Sequence, residues 1–144
     1  MTENTQNTSD CTILIVDDNE DILDVLEDII DIHTNFKVRT ASDAKKGLSI
    51  LKDEHIDVIL LDLHMPGMDG IELLKVIRNR EISAPVIFLS GKGSEEKSQE
   101  AFALGAFDFL SKPVKARDLL ILLDEAHKVS KQVSAIKENK VSNA

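Results

Sequence analysis

Val58-Ile59-Leu60-Leu61-Asp62, followed after Leu63 by His64-Met65-Pro66-Gly67-Met68-Asp69-Gly70, is the stretch that decides how this chain is read. A short, unbroken apolar run bounded by Pro and Gly has the pattern of a strand buried on both faces, the centre of a parallel sheet. Asp62 then stands at the carboxyl end of that strand. In open α/β sheets, ligands bind in the crevice outside that edge. Taken alone, the same aspartate is an ordinary opener of a turn. The rest of the chain has to decide between the two.

On either side of this run, strand and helix patterns alternate five times. Thr12 to Val16 reads as a strand. Asn19 follows as an N-cap, and a helix from about Glu20 to Ile32 carries Ile22, Val25, Leu26 and Ile29 as its apolar stripe. A shorter strand covers Phe36 to Thr40, and Ser42 then caps a helix with Ala44, Leu48 and Leu51 on one face, ending near Asp53. After the central strand, from about Asp57 to Leu61, Asp69 and Glu72 have the spacing of a capping box, opening a helix with Ile71, Leu74 and Ile77 inward. Val86 to Leu89 is a fourth strand ending at Ser90-Gly91. The helix from Ser94 to Leu104 is the least apolar of the set and stops at Gly105. Phe107 to Leu110 is the fifth strand. A long terminal helix begins near Lys115 with Leu119, Leu122, Leu123, Ala126 and Val129. This order predicts an α/β fold, a doubly wound five-stranded parallel sheet with five helices.

Composition narrows the function. The 144 residues are 42% hydrophobic, enough for one domain with a sizeable core, and contain no apolar run that could cross a bilayer. Residues 1–10 have neither the basic nor the apolar region of a signal peptide and read as a disordered lead-in to a domain over 11–130. Cys11 is the single cysteine, so no internal disulfide forms, and a cytoplasmic location is expected. Lys and Arg number 17 against 26 acids, a net charge of -9, which opposes direct binding to nucleic acid or an anionic membrane. His33, His55, His64 and His127 fall in separate segments, which argues against a histidine metal site.

In a parallel sheet every strand's carboxyl end points the same way. Asp17 and Asp18 after the first strand, Asp62 on the third, Ser90 on the fourth and Lys112 after the fifth are therefore brought to one edge. Each alone could be a capping acid, a loop hydroxyl or a solvated lysine. Their coincidence at four strand ends makes a joint site the better reading.

With these residues in hand, the chain resembles the CheY-like receiver domains of two-component response regulators. The resemblance is carried by Ile13-Leu14-Ile15-Val16-Asp17-Asp18-Asn19, by Val58 to Asp62 with Met65 to Gly70, by Ser90-Gly91, and by Gly105 to Pro113, and it covers roughly Thr12 to Val129. It implies the flavodoxin-like strand order 2-1-3-4-5, which sets Asp17 and Asp18 beside Asp62. It also implies Asp62 as phosphoacceptor and Ser90 and Lys112 as its catalytic partners. Ser90 and Phe109 become the switch pair, and Asp17, Asp18, Asp62 and the backbone carbonyl of His64 the magnesium ligands. Three crowded carboxylates need a cation, and magnesium takes oxygen ligands of this kind.

Two departures from the commonest family pattern are Ser90 in place of Thr and Phe109 in place of Tyr. Each keeps the required property, a hydroxyl or a ring. His64 is an unusual neighbour for the acceptor and bears on the lifetime of an acyl phosphate.

The expected role is a stand-alone response regulator taking a phosphoryl group from a histidine kinase or histidine phosphotransfer protein and signalling to an output protein. It would be a signalling protein rather than an enzyme, catalysing only its own phosphorylation and dephosphorylation. A phosphorylation-independent interaction module is the alternative. An aspartyl-nucleophile phosphatase of the haloacid dehalogenase type expects an acid where His64 stands. Residues 131–144 are expected to form a helical extension or a frayed tail. Leu119, Leu122, Ala126, Val129, Val133 and Ile136 recur in a heptad-like stripe, with Val133 and Ile136 beyond the sheet. A mostly monomeric protein is expected, with a phosphorylation-linked dimer as the minority outcome.

Overall fold

The computed structural model describes residues 11–91 and 93–143, with side chains through Val133. The expected lead-in over residues 1–10 and the expected role of the Ile136 side chain lie outside the described residues. Strand β3, Val58–Asp62, is buried along its whole length because it lies between β1, Thr12–Val16, and β4, Val86–Ser90. The edges are β2, Lys37–Ala41, and β5, Asp108–Ser111. All pairings are parallel and the order is 2-1-3-4-5. Every carboxyl end therefore opens on one edge.

Five helices cover the two faces: α1 Glu20–His33, α2 Ala44–Asp53, α3 Gly70–Asn79, α4 Glu95–Ala103 and α5 Ala116–Asn143. On one face Leu14, Val16, Ile59, Leu61 and Phe88 meet Leu51 of α2, Ile71, Leu74 and Ile77 of α3, and Ala101 of α4. On the other, Ile13, Ile15, Leu60 and Ile87 meet Leu26 and Ile30 of α1 and Leu119 and Leu123 of α5. Full burial of a leucine or isoleucine is worth about 1.5–3 kcal/mol, so these two layers supply most of the drive to fold. Among the described residues no helix is long and apolar enough to cross a membrane.

The capping box of α3 forms as its spacing predicts, with Glu72 N donating to Asp69 Oδ1 at 2.9 Å and Asp69 N to Glu72 Oε1 at 3.2 Å. Asn19 caps α1, accepting from Asp21 N at 2.9 Å. At α2 the cap is Asp43 rather than Ser42, accepting from Lys46 N at 2.7 Å, while Ser42 Oγ takes the Lys46 ammonium at 3.0 Å. Asp43→Ala should cost about 1 kcal/mol and Ser42→Ala much less, a contrast that urea unfolding measures directly.

Two apolar stripes interleave on α1, Ile22-Val25-Ile29-Ile32 and Leu23-Leu26-Ile30, both with helical spacing. The sheet takes the second. Leu23, Leu26 and Ile30 are buried, Ile22 and Ile29 lie half-buried at its border, and Val25 is 55% exposed, contrary to its expected place in the core. On α5 the buried positions are Leu119, Leu123, Ala126 and Ser130, with Leu122 and Val129 half-buried. Val133 is likewise half-buried and, with Ile56 and Pro85, lines a cavity of about 250 Å³. Those two residues precede β3 and β4, so Val133 reaches the amino edge of the sheet instead of lying beyond it.

Candidate functional site

The residues at the carboxyl edge meet because β1 and β3 are neighbours, paired from Ile13 with Val58 to Val16 with Leu61. Asp17 follows β1 and is fully buried, its amide donating to Ala41 O at 3.1 Å and its Oδ1 accepting from Asn19 N at 2.9 Å. Asp62 closes β3 and is 3% exposed. Asp18, the next residue along from Asp17, is exposed. One oxygen from each of the three carboxylates lies within 4.8 Å of the others.

Lys112 arrives from the segment after β5, held there by its amide, which donates to Ser90 O at 2.7 Å. Its ammonium lies 3.0 Å from Asp17 Oδ2 and 3.2 Å from Asp62 Oδ1, bridging the two buried acids. One ammonium does not balance three carboxylates. Burial pushes the Asp62 pKa from 3.8 to about 6, the charge of Asp17 adds to this, and Lys112 and the His64 amide oppose it. Burial alone would lower the Lys112 pKa, but its contacts with Asp17 and Asp62 outweigh it and raise it.

Asp17 Oδ2 is buried and, apart from the ammonium, accepts no hydrogen bond. A buried carboxylate oxygen with spare coordination, in a cluster short of positive charge, fits a hard divalent cation with oxygen ligands. The three carboxylates could therefore hold such a cation.

The remaining predicted residues lie around this centre. Ser90 ends β4, half-buried, in register with Ser111 of β5. Phe109 turns toward the core, its ring 5.6 Å from Phe88 and 4.7 Å from Phe102. His64 donates its amide to Asp62 Oδ1 at 3.3 Å. Its ring contacts Ser94, a partner the sequence reading missed. No local signal marked it, because the two residues lie thirty apart in the chain and meet only when the loops after β3 and β4 pack.

Comparison with known proteins agrees with this geometry. Residues 13–124 match the response regulator receiver domain. A putative response regulator, NtrX-like, from Rickettsia bellii is 36% identical over 121 residues, 83% of this chain, which spans only 25% of that protein's length. A response regulator receiver domain protein of Clostridium thermocellum superposes with a TM-score of 0.80 at 34% identity, covering 85% of this chain and 98% of that one. The chemotaxis protein CheY4 of Vibrio cholerae gives 0.75 at 31% identity, with 81% and 98% covered. The sheet order, the acidic cluster at its carboxyl edge and these matches together place the chain in the family of response regulator receiver domains of two-component signalling.

Proposed function

We propose that Asp62 accepts a phosphoryl group from a phosphohistidine of a histidine kinase or histidine phosphotransfer protein, and that the chain signals through a change of its partner-binding surface. The observation that carries this reading is the Lys112 ammonium held between Asp17 and Asp62, at 3.0 and 3.2 Å. One oxygen of Asp62 attacks phosphorus, and the bond from phosphorus to the donor imidazole nitrogen breaks as the O–P bond of the acyl phosphate, a mixed anhydride, forms. Lys112 keeps the nucleophile ionised and meets charge on the transferring oxygens as a point charge. Asp17, Asp18, Asp62 and the His64 carbonyl would hold magnesium, which when bound neutralises the acids and the phosphoryl oxygens. Ser90 donates a hydrogen bond to the attached group, and hydrolysis of the acyl phosphate returns the domain to rest. Labelling with acetyl phosphate, followed by intact mass, tests the reading: wild type should gain one phosphoryl group, and EDTA should suppress it.

The donor docks, on this reading, beside α1. A groove of about 500 Å³ runs between α1 and the segment after β5, lined by Asp21, Ile22, Val25, Lys112, Pro113 and Val114. From Asp17 to Asp31 there are eight acids and no Lys or Arg. The crowding is felt at Glu27, where burial and then the charges of Asp31, Asp24 and Asp28 raise the proton affinity. A helix with basic flanks and an apolar face fits such a surface. Asp24→Lys with Glu27→Lys should slow transfer from the protein donor about ten-fold or more, while acetyl phosphate labelling keeps its rate. Equal loss in both assays would mean that the site itself was damaged.

Output is read on the face of α4, β5 and α5. Helix α4 buries one apolar side chain, Ala101. Ion pairs tie it to α3, Lys97 to Asp69 at 3.1 Å and Lys75 to Glu100 at 3.8 Å, and such surface pairs are individually weak. Phe102 is 55% exposed and Ile121 49%, so a partner finds apolar anchors on either side of Phe109. A shift of Ser90 toward the phosphoryl group makes room for Phe109 to turn, and α4 moves with it.

A further inference from the structure

The imidazole of His64 takes no part in the acidic cluster, yet it is committed elsewhere. Its Nε2 lies 3.0 Å from Ser94 Oγ. The Ser94 hydroxyl in turn donates to the Gly91 carbonyl at 2.9 Å. A serine hydroxyl has one proton. With that proton on Gly91, the oxygen can only accept from the ring, so Nε2 carries a hydrogen.

Ser94 is the residue before α4, where a serine normally caps the first amides. Here it makes no side-chain cap bond, and its backbone, at φ -102 and ψ 13, is not in the extended conformation of a capping residue. Asn19, Asp43 and Asp69 all cap their helices. The helix with the least burial is thus also the one whose capping hydroxyl is drawn away, toward the loop that leaves Asp62. Ser94 is 4% exposed, so little water competes for these bonds.

We propose that His64 is a positioning residue that, through Ser94 and Gly91, fixes the start of α4 and the backbone after Ser90 relative to the phosphoacceptor loop. The functional half of this rests on Asp62 being the phosphoacceptor; the contact itself does not. When Ser90 moves toward a phosphoryl group, the Gly91 carbonyl moves with it and the bridge from His64 has to open. His64 therefore holds α4 in its resting place and sets how much of the phosphorylation event reaches it.

Amide hydrogen exchange on the whole chain tests this, first in EDTA without any phosphoryl donor. His64→Ala and Ser94→Ala should each speed exchange over residues 95–104 about five-fold, the change expected when one hydrogen bond of ordinary net strength is lost. His64→Gln places an amide N–H where Nε2 stands and should stay within about two-fold of wild type. His64→Asn is too short and should behave as alanine. Unchanged exchange in His64→Ala, or His64→Gln as fast as alanine, overturns the positioning role. In a second arm, magnesium and beryllofluoride, a mimic of the acyl phosphate, are added. Wild type should gain exchange over the same residues, and His64→Ala, already loosened, should gain less than half that factor. The same factor in both proteins overturns the coupling while the contact survives. No response in wild type counts against the phosphoacceptor reading and removes the coupling with it, and the first arm still reports the contact.

Discussion

Asp62→Asn is expected to abolish phosphoryl labelling completely and, in EDTA at pH 7, to make the protein more stable by about 1–3 kcal/mol. The loss of labelling follows from position. Among the described residues Asp62 is the acid that closes β3, is 3% exposed, and touches both the Lys112 ammonium and the His64 amide. An amide in its place keeps the shape and loses the nucleophile. A labile phosphoryl adduct that persists in Asp62→Asn would sink the assignment of this residue.

The gain in stability follows from the direction of the pKa shift. Burial, with the charge of Asp17, raises Asp62 from 3.8 to about 6. A raised carboxyl binds its proton more tightly in the folded state, so native stability falls as pH rises from about 4 through about 6, and the full penalty is present at pH 7. Removing the charge removes that penalty. Thermal unfolding in EDTA should show Asp62→Asn melting about 5–10 °C above wild type at pH 7, with most of the difference gone by pH 4. Magnesium should stabilise wild type and narrow the gap, because an ion that binds only the folded cluster shifts the equilibrium by mass action. A variant that melts no higher than wild type at pH 7 would show that Asp62 is ionised there without strain.

Gly70→Ala should lower stability by about 3 kcal/mol, a fall of roughly 10 °C in Tm. Gly70 is the first residue of α3 and packs against the strand end that bears the phosphoacceptor. A Cβ built there meets Asp62 O at 2.3 Å, Leu63 Cα at 3.0 Å and Phe88 Cε1 at 3.0 Å. Two of these are backbone atoms and cannot rotate away. Either α3 or the end of β3 has to shift, and the second displaces the Asp62 carboxylate, so labelling should slow along with the loss of stability. Gly91→Ala is the control, since a Cβ there meets nothing within 4 Å. Its stability should lie within about 0.5 kcal/mol of wild type. Equal melting of the two variants would mean that α3 is not pinned to Asp62 as described.

Much of this protein is determined by the sequence alone, because the signals are local and strong. The run Val58 to Asp62, short and bounded by turn residues, has the pattern of a strand buried on both faces, and five such units alternating with helices leave a parallel sheet as the simple solution. A parallel sheet then sends Asp17, Asp62, Ser90 and Lys112 to one edge without any knowledge of side-chain contacts. Asp69 with Glu72 is equally legible, since a capping box involves only residues three apart. What required the tertiary structure is whatever depends on a partner distant in the chain. The two stripes of α1 have the same period, so only the sheet decides that Leu23, Leu26 and Ile30 go inside and Val25 out. The reach of Val133 to the amino edge depends on how far down the sheet α5 runs. The double contact of Lys112 depends on β1 and β3 being neighbours. The His64 ring meets Ser94 across thirty residues because the loops after β3 and β4 leave adjacent strands side by side. Period and capping are properties of a segment, whereas a choice between equal faces, or between partners for one hydroxyl, is made only when the segments pack.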